Sequence, residues 1–401
     1  MGYSEEPYDR FVLRVQAFDV GGKPLEVARE AGPRWRLGPA ARLEYDVDLA
    51  RMEREVLEAT DSSRVRPGYL SLLGYSVFGF VEGEEFREIE LQLEAPKGWP
   101  VFSTLAPGGG SLRAEDFYAL ADSQSAMGPD LHVEKLSYAR EKETPLYLAL
   151  YVETKVDRAR LGRLAGEAME KMLVYFGPAP FAHYTVFLEL LNPVSPDHQY
   201  GFGMEHLASF HTALGSNGAE MSDSRLRFHL AHHIAHAWIP KRCYGEGYFP
   251  FSWEIAPLID TIWFSEGFAQ YAAMAALAES EEDRRQLVGR RFRSVLDEAP
   301  AFLRRMPLRE LSLVASSRYA SDFRTGKLTF ARGGLMAAEM DERIHRDTQG
   351  RKSLRDALCH LVEWSKENRR AFRVEELPTR FREATGVDTR DILERWLQPL
   401  E

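Results

Sequence analysis

Four histidines stand within ten residues, in HLAHHIAHAW (229–238), and two of them, His232 and His236, are four apart. On a helix that separation stacks two imidazoles on one face, where both can converge on a single tetrahedral ion. His229, His232, His233 and His236 would all fall in a stripe about 100° wide. Seven of the eleven histidines lie between 198 and 236, a clustering that favours metal over a chance pair. Zinc needs a third protein ligand. WFSEGFAQY (263–271) offers one in Glu266, set among Trp263, Phe264 and Phe268. A carboxylate in such surroundings is costly to bury unless a cation pairs with it. An Arg or Lys partner would serve, but beside a His232/His236 helix one zinc ion is the better match.

The elements that must position these residues can be read from pattern. Residues 1 to 130 are β-rich: FVLRVQAFDV, ARLEYDVDL, GYSVFGFVEG and REIELQLEAP alternate, with turn residues in GGKP, EAPKGWP and APGGG between them. A β-sandwich-like domain is expected there. Residues 131 to 275 change in texture. LYLALYV (146–152) and HYTVFLELL (183–191) read as strands, and residues 156–176 read as a helix that stops at Gly177-Pro178. A long loop is expected over 192–220, the histidine helix from near Ser224, and a second helix from near Ile259 with Asp260 as its N-cap. Residues 276 to 401 are helical in pattern throughout. The fold class is therefore multi-domain α+β, with an N-terminal β domain, an α/β core and a helical C-terminal lobe.

Length and composition agree with this. A chain of 401 residues exceeds one ordinary domain, and 44% apolar with 28% charged residues is the balance of a globular protein with ample core. The formal charge of -10, with both signs mixed along the chain, excludes a basic nucleic-acid footprint. No segment approaches 18 uninterrupted apolar residues, so no membrane span is expected. The start, MGYSEEPYDR, lacks a signal-peptide core, so the chain reads as cytoplasmic; trimming of a leader would make it secreted or periplasmic. Cys243 and Cys359 suggest neither a disulfide framework nor a metal clip.

Taken in order, these segments resemble the glycyl aminopeptidase family of zinc metallopeptidases, whose catalytic domains are thermolysin-like and of the gluzincin type. His232 and His236 match the two histidines of the family's H-E-x-x-H, Trp238, Lys241 and Arg242 match its W…K-R positions, and Glu266 matches the glutamate of its W-x-S-E-G helix. GFGMEHLAS (201–209) resembles the G-G-M-E-H-x-x-S segment. The resemblance implies that Gly203, Met204 and Glu205 bind substrate, with Glu205 on the free amino group. FYALADSQSAMG (117–128) and FGPAPFAHYTVFL (176–188) also resemble family segments. The similarity runs to LERWLQPLE, where many relatives continue into a PDZ domain that this chain is expected to lack.

Two departures bear on mechanism. In the family the glutamate after the first histidine takes the proton of the attacking water; here His233 stands in its place. An imidazole, with a pKa near about 6.5, can accept a proton but brings no anionic carboxylate. Losing a positioned base costs about 10²–10⁴-fold in rate. A fourth-ligand role for His233 would close the site, but neighbouring residues diverge by about 100° on a helix, so His232 and His233 should not easily share an ion. The second departure is in KLTFARGGLMAAEMDERI (327–344), aligned with the family's Y-Y-x-K-G. Thr329 and Phe330 replace the tyrosines and Arg332 the lysine, so the hydroxyl expected at 330 to bind the oxyanion is missing. That loss costs about 10²–10³-fold.

Kept ligands with a lost base and a lost hydroxyl point to a zinc-binding pseudo-peptidase that recognises the N-terminus of a peptide or protein. Two other readings compete: an active metallohydrolase with His233 or His206 as base, and a metal-free binding scaffold. His206 and His211 are expected to be structural histidines, Lys241 and Arg242 to pair with acidic neighbours on the surface, Glu254 to cap or support the Glu266 helix, and Cys243 to be a plain buried thiol.

Overall fold

The computed structural model describes residues 6–249, 258–318 and 322–400. It is mixed α+β, with small sheets at the N-terminal end, a central sheet and a helical C-terminal region. The β-rich character expected of the first 130 residues takes the form of four small antiparallel sheets among the described residues. The one nearest the centre orders Arg64–Arg66, Tyr69–Leu73, Gln124–Met127 and Val101–Ser103 side by side.

The central sheet has five strands: β1 (His132–Leu136), β2 (Leu146–Val152), β3 (Tyr184–Leu191), β4 (Gly203–Glu205) and β5 (Ser209–Gly215). They lie in the order β1-β2-β3-β5-β4. Strands β2, β3 and β5 run parallel, while β1 and β4 are antiparallel at the edges. Every residue of β3 is buried, the apolar run expected of a parallel strand covered on both faces. The loop expected over 192–220 thus contains two strands. Strand β4 has three residues, too few for alternation to reveal it, and its register is set by β5: Gly203 opposite Thr212, Met204 opposite His211, Glu205 opposite Phe210.

Helix α1 (Arg158–Phe176) covers this sheet. Asp157 caps it by accepting from the Arg160 amide at 2.9 Å, and Gly177, at φ 92°, ends it. Its buried stripe, Leu161, Leu164, Ala165, Ala168, Met169 and Met172, follows the three-to-four spacing of an amphipathic helix. Truncating a fully buried leucine such as Leu164 to Ala would cost about 2–5 kcal/mol.

Against α1 packs α2 (Asp223–Ala235), the histidine helix, with Ser222 accepting from the Arg225 amide at its start. The Glu266 segment opens as a π-helical turn over Trp263–Phe268 before continuing as α3 (Ala269–Leu277). It crosses α4 (Phe323–Asp347) at two glycines. A Cβ on Gly267 would lie 2.6 Å from the Gly333 carbonyl carbon, and one on Gly333 would lie 1.9 Å from the Trp263 carbonyl oxygen. Only glycine permits backbones to meet this closely, and the contact fixes Glu266 relative to Phe330 one turn away.

The N-terminal sheets are joined to the centre by a buried polar cluster. Glu189 of β3 accepts from the Tyr69 hydroxyl at 2.8 Å, faces His211 Nε2 at 2.7 Å and pairs with Arg64 at 3.4 Å. His211 Nδ1 faces the Thr60 carbonyl at 3.2 Å. Burial raises the Glu189 carboxyl, but Arg64 and His211 outweigh it and bring the pKa down to about 2. His211 is therefore structural, as expected. No helix among the described residues is long and apolar enough to cross a membrane.

Candidate metal centre

His232, on the last turn of α2, and His236, at its C-cap, place their ring centroids 4.5 Å apart. Glu266 reaches them from the π-helical turn, with Oε2 3.2 Å from His232 Nε2 and 3.7 Å from His236 Nε2. Glu266 thus lies within reach of each of the two histidines. π-turns rotate a side chain out of α-helical phase and recur at functional sites, which is how Glu266 comes to face α2.

The donor set suits a metal ion. His236 Nδ1 donates to the Ile239 carbonyl at 2.9 Å, which fixes the tautomer and turns the Nε2 lone pair toward Glu266. That Nε2 is buried and has no hydrogen-bond partner among the described residues. Burial pushes the His232 imidazole well below its ordinary pKa, with His236 and Arg291 adding to the effect, so it is the neutral form that ligation requires. Burial also raises the Glu266 carboxyl, while His236 and a hydrogen bond from Gln270 act in the opposite sense. Arg291 donates to Gln270 at 3.1 Å and lies over the Phe228 ring at 4.0 Å, so an Arg291–Gln270–Glu266 relay supports the carboxylate from behind. Two buried imidazoles and a buried carboxylate form a donor set that fits one metal cation.

Glu205, on edge strand β4, joins the same centre. Single donor atoms of Glu205, His236 and Glu266 lie within 4.8 Å of one another. Glu205 is 2% exposed, its Oε1 has no partner among the described residues, and burial raises its carboxyl. Met204 lies beside it and is buried. Gly203 is a cradle for His233: a Cβ there would be 2.4 Å from His233 Nε2.

His233 departs from the sequence expectation. One donor atom each of His232, His233 and His236 lie within 4.8 Å of one another, so the helical divergence of 232 and 233 does not keep them apart. The His233 ring lies between Phe210, with centroids 5.2 Å apart, and Gly203, filling the space between α2 and strand β4. Its Nδ1 is buried and has no partner among the described residues, and burial, His229 and His232 hold it well below the ordinary imidazole range. Phe330 sits in an apolar cluster with Tyr248, Ile259 and Ile262.

Several neighbours are placed differently from expectation. Lys241 is buried, 3.1 Å from Asp122, because Asp122 is itself drawn inside. Arg242 donates to the carbonyls of Leu207 and Ala237 at 2.7 and 2.8 Å. Asp260 does not cap the helix, which enters through the π-turn; it pairs with Arg309 at 2.5 Å. Arg332, in the family's lysine position, points away from the site and binds the carbonyls of Met306, Trp396 and Gln398. His206 is structural, held between Asp122 at 3.3 Å and Gln124 at 3.1 Å. Cys243 is fully buried, and burial pushes its thiol up to about 12. Glu254 lies outside the described residues. Gln270 and Arg291 were not legible as supporting residues: Gln270 stands one turn beyond Glu266 but carries no motif signal, and Arg291 reaches it by tertiary contact.

Sheet, histidine helix and facing glutamate together make a metallopeptidase-like fold. Comparison with known proteins agrees. Residues 2–129 match the Peptidase M61 N-terminal domain. An aminopeptidase N family protein from Idiomarina loihiensis has a similar structure, with a TM-score of 0.84 at 20% identity over 100% of this chain and 70% of that one. The M1 zinc metallopeptidase from Deinococcus radiodurans is similar at a TM-score of 0.52 and 16% identity, over 97% of this chain and 86% of that one. A mutant of that enzyme bound to a Tyr-Ser-Ala substrate gives 0.55 at 15% identity, with the same coverage. No curated protein sequence matches. The chain thus shares its fold with these metallopeptidases, and residues 2–129 match an M61 peptidase N-terminal domain.

Proposed function

We propose that this chain is a zinc-binding, aminopeptidase-like protein that holds the free amino group of a peptide through Glu205 and has lost ordinary peptide hydrolysis. His232, His236 and Glu266 would hold one zinc ion, which when bound supplies Lewis acidity toward a carbonyl. The observation that carries the reading is the pairing of a complete donor set with an imidazole at 233. His233 offers no anionic carboxylate, and its ring fills the space against Gly203. Phe330 supplies no hydroxyl, and its ring is committed to an apolar cluster. If the two losses acted independently the deficit would be about 10⁴–10⁷-fold, although such effects rarely add cleanly.

The test is metal analysis of protein purified without chelators, together with an aminopeptidase assay on glycyl and alanyl substrates. One zinc per chain with no turnover is expected. Turnover at ordinary enzyme rates sinks the pseudo-peptidase reading, and absence of metal favours a bare scaffold.

One observation favours a second reading, hydrolysis with His233 as base: its unpartnered, buried Nδ1 is free to accept a proton. In that case His233→Ala abolishes whatever activity is found. His206 is a poor alternative base, because both ring nitrogens are engaged.

A further inference from the structure

His233 approaches the metal centre as closely as the histidines assigned to it. One ring nitrogen each of His232, His233 and His236 lie within 4.8 Å of one another. Three points so spaced lie within about 2.8 Å of a common centre, and a zinc–nitrogen bond is about 2.0–2.1 Å. Ring movements of less than about 1 Å would therefore close all three imidazoles onto one ion. The Cβ directions of neighbouring residues diverge on a helix, but the rings do not: the His233 centroid is 4.7 Å from that of His232 and 5.8 Å from that of His236.

A second observation is independent of these distances. His233 Nδ1 is buried and has no hydrogen-bond partner among the described residues. Buried polar atoms are nearly always bonded, so an exception asks for a ligand. His236 Nε2, a nitrogen already assigned to the ion, is orphaned in the same way. The His233 ring is also held in place. It stacks on Phe210 at 24° between planes, and its Nε2 edge rests where a Cβ on residue 203 would collide with it at 2.4 Å.

We propose that His233 is itself a metal ligand, so that one zinc ion is held by His232, His233, His236 and Glu266. Glu266 Oε2 already lies 3.2 Å from His232 Nε2 and 3.7 Å from His236 Nε2. Four protein ligands make a closed site of the structural kind, whereas three leave a position for water or substrate. The proposal rests on the His232/His236/Glu266 site proposed above and adds a ligand to it. With His233 bound, the ion has no open position at which to polarise a carbonyl. Hydrolysis is then prevented by an occupied coordination shell as well as by a missing base. What remains to the ion is to tie α2 to the π-turn that carries Glu266.

The experiment is zinc-edge X-ray absorption on the zinc-loaded full chain, which counts imidazoles by their outer-shell scattering. Three imidazoles and four near neighbours are expected. Two imidazoles overturn the assignment of His233 and leave the zinc site standing. A chain that takes up no zinc overturns the site and this inference together. Chelator competition then compares the parent with His233→Phe, which keeps a flat ring beside Phe210 and Gly203 but offers no nitrogen. Loss of a supporting partner costs about 10–100-fold in metal affinity, so loss of a ligand predicts a fall of at least about a hundredfold. The smaller His233→Gln, checked for folding by circular dichroism, should show a fall of the same size. A lesser fall in both variants makes His233 a supporting residue and overturns the proposal. In cobalt-substituted protein, azide should leave the visible spectrum of the parent unchanged and shift that of His233→Phe. A shift in the parent reveals an open position and overturns the closed site.

Discussion

Replacing His233 by glutamate is the sharpest perturbation of this site. In the structure, the imidazole tip presses on the strand at Gly203, where even a methyl group would sit 2.4 Å from Nε2, and the ring stacks on Phe210. Glutamate is slimmer at its end and leaves from the same helical position, so its carboxylate would enter the space the ring now fills. A positioned base contributes about 10²–10⁴-fold. Adding the hydroxyl with Phe330→Tyr contributes a further 10²–10³-fold or so, less any coupling between the two. The cost is electrostatic: a third carboxylate joins Glu205 and Glu266, and like charges about 5 Å apart repel by on the order of 3 kcal/mol at an effective dielectric constant near 20. The variant should therefore need its metal more than the parent does. The assay is release of p-nitroaniline from the alanyl anilide, with zinc content and circular dichroism measured alongside. A gain of at least about a hundredfold in His233→Glu is expected. A folded, zinc-loaded His233→Glu with no gain refutes the argument that the missing base silences this chain.

Zinc should stabilise the protein by about 4 kcal/mol at a thousandfold excess over its Kd, and His236→Ala should abolish that shift in a melting experiment. Gly203→Ala should cost about 1–3 kcal/mol by overpacking, and a double-mutant cycle with His233→Ala should recover most of it, since the collision is with that ring. Glu189→Gln should destabilise by on the order of 3 kcal/mol near neutrality. Because the folded carboxyl is held at about 2, that contribution is full above the ordinary carboxyl range and fades as pH falls toward 2, so denaturation curves of parent and variant should converge in acid.

What was legible in the sequence was what short-range geometry dictates. The four-residue separation of His232 and His236 survives in any helix, and Glu266 stood out because a lone carboxylate among aromatics must be answered by something. The failures share a cause. Asp260 looked like a cap because the helix seemed to start beside it, but the backbone opens as a π-turn stabilised by the Gly267–Gly333 crossing, a contact between segments far apart in sequence. Lys241 looked like a surface charge because its partner, Asp122, is 119 residues away. The divergence of His232 and His233 holds for their Cβ directions; rotamers and the bulk of Phe210 then bring the rings back together.

Counting charge at the loaded site leads to a test of ligand preference. With one zinc ion bound, Glu205 and Glu266 together supply two negative charges, and the two ligand histidines are neutral. A carboxylate at 233 would make the charge -1, matched by the ammonium group of an incoming peptide. His233, held neutral by burial, leaves the zinc-loaded centre balanced without any ammonium, so binding an uncapped amide adds an uncompensated positive charge. A ligand carrying its own carboxylate next to the amine avoids that cost. L-alanine should therefore bind the zinc-loaded parent better, relative to L-alaninamide, than it binds His233→Glu. One unit charge near about 5 Å is worth on the order of 3 kcal/mol before further screening, so the ratio of the two affinities should swing by at least about tenfold between parent and variant in calorimetric titrations. An unchanged ratio would mean that the residue at 233 does not set the charge the cleft presents to its ligand.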